Sequence, residues 1–361
     1  MTRINTEALQ ERIERHLSDT CISLEPFAQG TFHMTYNATM AQAGLVFVRV
    51  SHHCVDEKRR SMKSKMPSEV ATLRYLKRHT SIPVPDALVY VSDSDNAVGG
   101  AWMIMEALDG DAAVSVWDSL NSEQKHKLTL AMGNMYSSIL SLRFNVIGSI
   151  YEDRGSIFIG PIVTPQTSQA PDTARRPNKC GPFHSTTDWL IAVARQDTAF
   201  SLPPSSKIHT PTHQSHVQSM IDDIKYSTDL ATDKTSIVLD HIDFSMQNII
   251  VRLDDPTVIA GIIDWEGART VPMWATNPRF MWPIFSPQEE QQHFHRVLRD
   301  YLMEKAPELF RAVSGEKTLS MRLLLERAKY STANSDAFDW SVPPRHFLSA
   351  DVVAETCIIN V

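Results

Sequence analysis

Ile237–Glu266 reads IVLDHIDFSMQNIIVRLDDPTVIAGIIDWE, and this stretch decides the fold. Three apolar, largely β-branched runs within it predict short buried strands, and the polar residues between the second and third runs predict a hairpin turn. A polar or charged group at the end of a buried strand is costly unless it has a partner or a function. Four such side chains lie between and after these runs: His241, Asp243, Asn248 and Asp264.

The spacing of these four residues is typical of phosphoryl transfer. Asp243 follows His241 after one intervening residue, Asn248 comes five residues later, and Asp264 comes after the hairpin. One carboxylate can accept the proton of an attacking hydroxyl, while an amide oxygen and a second carboxylate are suitable ligands for Mg²⁺. The His-x-Asp-x₄-Asn pattern alone also fits a plain hairpin with a capped turn. Buried strands on both sides and Ile-Asp-Trp at the right distance make the functional interpretation stronger.

With these residues, the stretch resembles the catalytic core of the aminoglycoside phosphotransferase and choline kinase group. It is similar above all to the fungal members, in which a motif like Ile263–Glu266 replaces the Gly-rich metal motif of protein kinases. The resemblance implies an α+β, two-lobed protein-kinase-like fold. Residues 1–106 would form a nucleotide-binding lobe with an antiparallel sheet and one key helix. Residues 107–361 would form a larger, mainly helical lobe for catalysis and substrate binding.

The resemblance also implies a role for each polar residue of the stretch. Asp243 would be the catalytic base, and Asn248 and Asp264 would be the ligands of Mg²⁺. His241 would be the structural member of the catalytic set, which fixes the loop. The implied reaction transfers the γ-phosphoryl group of ATP to a hydroxyl of a small molecule.

Val46–Val50 resembles the third strand of this fold, where a cation holds the α- and β-phosphates of the nucleotide; here the cation is Arg49. Glu69, twenty residues later, matches the glutamate that pairs with that cation, and Pro67 is predicted to lie in the first turn of its helix. Each assignment has a simpler alternative. Arg49 could be an edge-strand charge facing water, and a glutamate in a first helical turn is favoured by the helix dipole.

Two further segments complete the nucleotide site that the resemblance implies. The turn 28–32, with Gly30, lies where the fold places a loop over the phosphates, although a single glycine in a turn more often supplies only a positive φ angle. The apolar strand 101–105 leads into a short acidic connector that resembles the hinge between kinase lobes. Backbone groups near Glu106 and Leu108 would meet the adenine edge there.

Composition narrows the remaining classes of protein. A net charge of −7 with scattered Lys and Arg argues against a nucleic-acid partner, which would need a concentrated basic face. No apolar run reaches eighteen residues, so no membrane span is expected. The N-terminal segment is charged and lacks the apolar core of a signal peptide, and the four cysteines form no CxxC. Together these features favour a cytoplasmic protein with reduced thiols.

Apolar periodicity predicts the helices of the second lobe, and the Pro-, Ser- and Thr-rich residues 152–180 predict a long irregular loop. The helices are expected at 123–142, 187–195, 216–226, 287–305 and 317–330.

Two alternatives to an active kinase stay open at this point. A catalytically silent, nucleotide- or ligand-binding pseudokinase is favoured by the single glycine in the loop and by arginine at position 49. A kinase-fold enzyme adapted to another small-molecule reaction is also consistent with the pattern, since a fold does not fix its chemistry. The intact Asp243, Asn248 and Asp264 favour the active kinase.

Overall fold

The computed structural model describes residues 4–30, 33–51, 59–163, 180–195, 211–276 and 287–329. The chain divides into two compact units. The first comprises Met1–Gly110, Ile150–Phe158 and Ala260–Glu266, and the second comprises Asp111–Ser149, Ile159–Ile259 and Gly267–Val361. Two short segments from beyond residue 106 therefore belong to the first unit, and one of them carries Asp264.

An antiparallel sheet dominates the start of the chain and helices dominate the rest, which confirms the expected α+β, protein-kinase-like fold. The chain begins with α1 (Thr6–Leu17), β1 (Cys21–Gln29), β2 (His33–Met40), β3 (Gly44–Ser51), α2 (Arg59–His79), β4 (Ala87–Val91) and β5 (Trp102–Glu106). It continues with β6 (Asp111–Ala112), α3 (Ala113–Val116), α4 (Ser122–Ile139), β7 (Arg143–Phe144), β8 (Ser149–Asp153), β9 (Ser156–Gly160), α5 (Thr186–Ala194), α6 (Pro211–Tyr226), α7 (Thr228–Ala231), β10 (Ile237–Asp240), β11 (Ile249–Val251), β12 (Ile259–Ile262), β13 (Arg269–Pro272), α8 (Gln288–Lys305), α9 (Pro307–Ser314) and α10 (Glu316–Lys329).

The sheet of the first unit has the order β1-β2-β3-β5-β4, and all its neighbouring strands are antiparallel. In β3 the side chains of Val46, Val48 and Val50 are buried in a core that α1 also lines. Because successive side chains of a strand point to opposite faces, Arg49 lies on the other face of the sheet. The Arg49 side chain therefore points away from the apolar core that the valines of this strand line.

Helix α2 begins earlier than expected. It runs from Arg59 to His79 with Pro67 inside it, so the prediction that Pro67 lies in the first turn is wrong. A proline in a helix removes one hydrogen bond and has to be offset by other contacts. Here Lys65 and Met66, just before the proline, are both buried, and Lys65 pairs with Glu266. Glu69 therefore lies within the helix, so the helix-dipole explanation for it does not apply.

The predicted helices of the second unit are present, although α6 begins five residues earlier than expected, and α3, α7 and α9 were not foreseen. Part of the expected irregular loop is instead the hairpin of β8 and β9, whose turn residues Arg154 and Gly155 both have positive φ angles, as two-residue hairpin turns require. Glu152 of this hairpin accepts from Arg74 and Arg78 of α2. None of the helices in the described ranges is long and apolar enough to cross a membrane.

The three strands predicted from the opening stretch are β10, β11 and β12. In the second unit β10 is the middle strand of a three-stranded antiparallel sheet with β13 and β7. Strand β11 pairs antiparallel with β6, and the backbone N–H of Arg252 donates to the Val258 carbonyl at 3.0 Å to close the hairpin turn. Val238, Leu239, Ile249 and Val251 are fully buried, so the loop between β10 and β11, which carries Asp243 and Asn248, is fixed to buried strands at both ends.

Gly148→Ala tests how tightly the second unit is packed beside β13. A Cβ at this position would lie 2.2 Å from the carbonyl oxygen of Gly160, which is backbone and has little freedom to move. We expect the free energy of unfolding to fall by about 1–3 kcal/mol, measured by denaturant titration. Gly30→Ala is the matched control, because its Cβ would be 3.7 Å from the nearest atom, the His33 carbonyl oxygen. Equal stability of the two variants would contradict the packing described for Gly148.

Candidate functional site

Arg49 and Glu69 form a buried, two-pronged ion pair in the first unit. Arg49 Nη1 donates to Glu69 Oε1 at 2.7 Å, and Nη2 donates to Oε2 at 3.2 Å. Only 2% of the Glu69 side chain is exposed. The parallel arrangement of guanidinium and carboxylate is the strongest geometry available to such a pair. The structure thus brings together two residues that the sequence analysis matched, and Arg49 is not an edge-strand charge facing water.

Two more carboxylates surround the same guanidinium. Arg49 Nη1 lies 3.6 Å from Asp264 Oδ1, and Nη2 lies 3.5 Å from Glu266 Oε2. The other oxygen of Glu266, Oε1, accepts from Lys65 Nζ at 2.5 Å, and His33 Nδ1 lies 3.4 Å from Glu266 Oε2. We call these six residues the Arg49 cluster: His33, Arg49, Lys65, Glu69, Asp264 and Glu266.

Sequence reasoning gave no role to Lys65 or Glu266, although signals for both were present. Lys65 lies four residues before Glu69, on the same face of α2. Glu266 lies two residues after Asp264, at the end of the quoted motif. Both signals are local spacings, and neither says that the two side chains meet each other.

The charges of the cluster shift each other's pKa values. Burial by itself lowers the pKa of Arg49, but the carboxylates of Glu69, Asp264 and Glu266 more than offset this and raise it overall. Burial raises the pKa of Glu69 to about 7, although Arg49 counteracts this, and the neighbouring charges of Asp264 and Glu266 raise it further. Glu69 therefore takes up a proton near neutral pH, whereas Arg49 stays charged.

Asp264 differs from the other two carboxylates in exposure and backbone conformation. Its side chain is 47% exposed, whereas that of Glu266 is 9% exposed. Its φ angle is 60°, in the left-handed region that aspartate tolerates better than most residues. The conformation turns the chain sharply at the end of the β12 segment and leaves a carboxylate at the surface of the Arg49 cluster.

The turn at Gly30 is closed by a hydrogen bond from the Gly30 N–H to the His33 carbonyl at 2.8 Å. Gly30 does not have a positive φ angle, so the simple explanation for a glycine there does not hold. A Cβ at Gly30 would make only an ordinary contact, at 3.7 Å. Neither backbone conformation nor packing among the described residues therefore demands glycine at this position.

In the connector after β5, Glu106 is held by hydrogen bonds, whereas the backbone of Leu108 makes none within the described ranges. Glu106 accepts from the Asp86 N–H at 3.0 Å and from Lys77 at 3.4 Å through its carboxylate, and its own N–H donates to the Asp86 carbonyl. The ladder between β3 and β5 ends at Glu106. Leu108 lies beyond it, and its backbone has no hydrogen-bond partner within the described ranges.

In the second unit Asn248 holds Asp243 in a fixed orientation. The amide Nδ2 of Asn248 donates to the Asp243 carboxylate at 3.0 Å and to the Asp243 carbonyl at 2.9 Å. The Asn248 N–H in turn donates to the Ser245 carbonyl at 2.9 Å, and Asn248 is buried. Asp243 itself is exposed. The result is a solvent-facing carboxylate attached to a buried support.

The backbone just before Asp243 is strained. Ile242 has a φ angle of 58°, which is rare for a β-branched residue, and the Asp243 N–H donates to the His241 carbonyl at 2.7 Å across it. Such a turn costs about 1–3 kcal/mol and persists only where its surroundings fix it. His241 is buried and meets Phe244 edge to face with ring centres 6.0 Å apart, which supplies such a fixed point.

Asp240 and Arg269 fix the start of this loop, and sequence reasoning missed the pair. They are directly opposite each other in β10 and β13, with Arg269 Nη2 donating to Asp240 Oδ2 at 3.3 Å. Burial raises the pKa of Asp240, and the charge of Arg269 partly counteracts this. Only the register of the two strands places Asp240 opposite Arg269, and the sequence does not give that register.

The side chains of Asn248 and Asp264 suit Mg²⁺ chemically. Because Asn248 Nδ2 is used twice by Asp243, the other amide atom, Oδ1, is the one suited to a cation, and the Asp264 carboxylate is exposed. No group of three or more His, Cys, Asp or Glu side chains in the described ranges has the arrangement of a metal site.

Comparison with known proteins agrees with the fold and the motif. The model of the phosphotransferase enzyme family, APH, matches residues 54–275, more than half of the chain. The chain therefore belongs to this family. The matched segment contains Glu69, the loop around Asp243, and Asp264.

Curated relatives are distant and longer than this chain. A subtelomeric hrmA-associated cluster protein of Aspergillus fumigatus is 24% identical over 280 residues, which cover 62% of this chain and 53% of the relative. The protein named altered inheritance of mitochondria protein 9, mitochondrial, of Candida albicans is 26% identical over 135 residues, 36% of this chain and 21% of the relative. The chain thus spans about half the length of the first relative and a fifth of the second.

Solved structures show the same fold at low identity. The complex of APH(2'')-IIa with gentamicin has a TM-score of 0.50 at 14% identity and covers 93% of this chain and 98% of its own. The ternary complex of APH(2'')-IIa with streptomycin and ATP has a TM-score of 0.50 at 15% identity, covering 92% of this chain and 93% of its own. At this identity the likeness establishes the fold alone.

The raised pKa of Glu69 predicts a pH-dependent difference in stability between the wild type and Glu69→Gln. The pKa of Glu69 has its ordinary value of 4.5 in the unfolded chain and a value of about 7 in the folded protein, so folding favours the protonated form. Stability from this group is present below pH 4.5 and is lost as the pH rises through 7. We expect the unfolding free energy of the wild type to fall relative to Glu69→Gln between pH 5 and 7, measured by denaturant titration.

Above about pH 7 the difference between these two proteins should stay constant, because Glu69 is then ionised in both the folded and unfolded states. The opposite slope, with the wild type gaining on the variant as the pH rises, would mean that Arg49 lowers the pKa of Glu69 below its ordinary value.

Proposed function

We propose that this protein is an ATP-dependent phosphotransferase that moves the γ-phosphoryl group of ATP to a hydroxyl of a small molecule. The observation that carries the proposal is the arrangement at Asp243, an exposed carboxylate that the buried Asn248 amide holds through two hydrogen bonds. Membership of the phosphotransferase enzyme family supports it. The APH(2'')-IIa structure that contains ATP supports ATP as the donor.

Asp243 would act on the acceptor hydroxyl. In the reaction the hydroxyl oxygen forms a bond to the γ-phosphorus, the bond from that phosphorus to the β-γ bridging oxygen breaks, and ADP leaves. The hydroxyl proton passes to the Asp243 carboxylate. The hydrogen bond from Asn248 fixes the carboxylate before the acceptor binds, so that little orientational freedom remains to be lost.

Asn248 and Asp264 would hold Mg²⁺ through their side-chain oxygens. When bound, Mg²⁺ would offset the negative charge of the phosphates. Arg49, fixed by Glu69, would supply a permanent positive charge on the nucleotide side. These contributions are positional and electrostatic, as phosphoryl transfer requires.

Gly30, Glu106 and Leu108 would complete the nucleotide site. The open backbone of Leu108 is suited to hydrogen bonding with the edge of a base, and Glu106 fixes the connector through Asp86. Among the described residues, neither the backbone conformation nor the packing requires glycine at position 30. A glycine there therefore favours close approach of a ligand to its backbone. A cytoplasmic location and a hydroxyl-bearing acceptor are parts of the same proposal.

One observation favours the catalytically silent alternative. Both terminal nitrogens of Arg49 already face carboxylates, so this guanidinium is not open to a phosphate as it stands. Under that alternative the protein would bind nucleotide without turning it over. Assaying phosphoryl transfer and nucleotide binding on the same preparation separates the two functions.

Asp243→Asn tests the proposed base directly. The variant keeps the shape of the side chain but cannot accept a proton, so phosphoryl transfer should fall by about two to four powers of ten. The assay incubates γ-labelled ATP with a library of hydroxyl-bearing small molecules and detects labelled products. Asp118→Asn, an exposed aspartate elsewhere in the second unit, is the matched control and should keep full activity. Wild-type activity in Asp243→Asn would contradict the assignment.

Asp264→Asn tests the metal role. Replacing the exposed carboxylate with an amide should raise the Mg²⁺ concentration needed for half-maximal turnover by about tenfold, since a charged ligand is lost. The measurement is a Mg²⁺ titration of phosphoryl transfer at fixed ATP, with Asp118→Asn beside it. An unchanged Mg²⁺ requirement in Asp264→Asn would remove this residue from the metal site.

A further inference from the structure

The ladder between β10 and β13 ends at a buried ion pair. Asp240 and Arg269 are the last residues that these strands place opposite each other, and their side chains are 5% and 13% exposed. Arg269 Nη2 donates to Asp240 Oδ2 at 3.3 Å. The chain leaves the sheet directly after Asp240, so the pair lies where the loop that carries Asp243 begins.

The Asp240 carboxylate also faces the strained residue of that loop. Burial raises the pKa of Asp240, whereas the charge of Arg269 and the backbone N–H of Ile242 both lower it. An aspartate whose side chain interacts with the backbone two residues further on is a common means of fixing a turn. One carboxylate thus connects Arg269, which belongs to β13, with Ile242, which has a φ angle of 58°.

The conformation of Ile242 decides the direction of Asp243. The Asp243 N–H donates to the His241 carbonyl at 2.7 Å across Ile242, so these three residues form one tight turn. Asn248 holds the Asp243 carboxylate from the far end of the loop. If the φ angle of Ile242 returned to the negative values that a β-branched residue prefers, this turn would open and Asp243 would lose its fixed direction.

We propose that Asp240 is a positioning residue for the base of phosphoryl transfer: supported by Arg269, it holds Ile242 in the left-handed region and so fixes the direction of Asp243. This role rests on the function proposed above for Asp243. Asp240 stands directly before His241 in the sequence, outside the pattern that suggested the catalytic loop. An ion pair that served stability alone would not act through Ile242, and this difference can be measured.

The test is a cycle of four proteins: wild type, Asp240→Asn, Ile242→Gly and the double variant. Asparagine keeps the shape of Asp240 but removes the charge that attracts Arg269 and the Ile242 N–H. Glycine adopts a positive φ angle without strain, so a loop with Ile242→Gly does not need the carboxylate to hold it. Transfer of label from γ-labelled ATP to hydroxyl-bearing small molecules is measured over a range of MgATP concentrations. Exchange of backbone amides in heavy water is followed by mass spectrometry.

In the otherwise wild-type protein, Asp240→Asn should lower kcat by about ten- to a hundredfold and leave the KM for MgATP unchanged, because a misplaced base slows the transfer step. In the presence of Ile242→Gly the same substitution should cost less than about threefold. The amides of residues 240–246 should exchange about tenfold faster in Asp240→Asn, whereas those of α8 should exchange as in the wild type.

Glu290→Gln is the matched control. Glu290 forms an ion pair with Lys125 at 2.6 Å elsewhere in the second unit, and its side chain is 27% exposed. The control should keep the wild-type kcat and the wild-type exchange of residues 240–246. If Asp240→Asn leaves Arg269 so poorly paired that the protein does not fold, Asp240→Asn with Arg269→Met removes both charges and takes its place in the cycle.

An equal loss of kcat from Asp240→Asn with and without Ile242→Gly would overturn the proposal, because the pair would then serve stability alone. Unchanged kcat together with unchanged exchange of residues 240–246 would overturn it as well. A wild type that transfers no phosphoryl group would refute the function proposed for Asp243. The exchange of the loop amides would then still decide whether Asp240 positions the loop.

Discussion

The guanidinium of Arg49 among three carboxylates is the constraint on which the first unit depends. The Glu69 and Glu266 carboxylates would be costly to bury without a cation, and Arg49 contacts both of them while the half-exposed Asp264 also faces it. The cluster joins β3 to α2 through Glu69 and to the end of the β12 segment through Glu266. Lys65, one turn before Glu69 on the same helix, also contacts Glu266.

In the second unit the corresponding constraint is backbone strain. Ile242 occupies a region of φ that a β-branched side chain disfavours, and it lies just after the buried strand β10. The effect is to turn Asp243 outward while Asn248 stays inside and holds it. Strain of this kind is concentrated at functional sites, where it fixes a reactive group before its ligand arrives. The bulky Ile242 is therefore compatible with the loop, at a cost that its surroundings offset.

Much of the fold and half of the candidate site could be predicted from the sequence, because the signals were local. Strand alternation places Arg49 opposite its apolar neighbours, and helical periodicity gives most helix positions. What could not be predicted depends on distant residues meeting. Lys65 and Glu266 are 201 residues apart, and Asp240 and Arg269 pair only because of the register between two strands. No spacing rule along the chain reveals such contacts.

The proposed nucleotide site depends on Mg²⁺ to offset the negative charge that the phosphates and the exposed Asp264 carboxylate would otherwise place together, and calorimetry of ATP binding with and without Mg²⁺ tests that claim most directly. If the claim holds, ATP binds in the presence of Mg²⁺ and at least about tenfold more weakly when the metal is chelated, because the phosphates then face the carboxylates unscreened. Equal affinity in both conditions, or no binding in either, would contradict it.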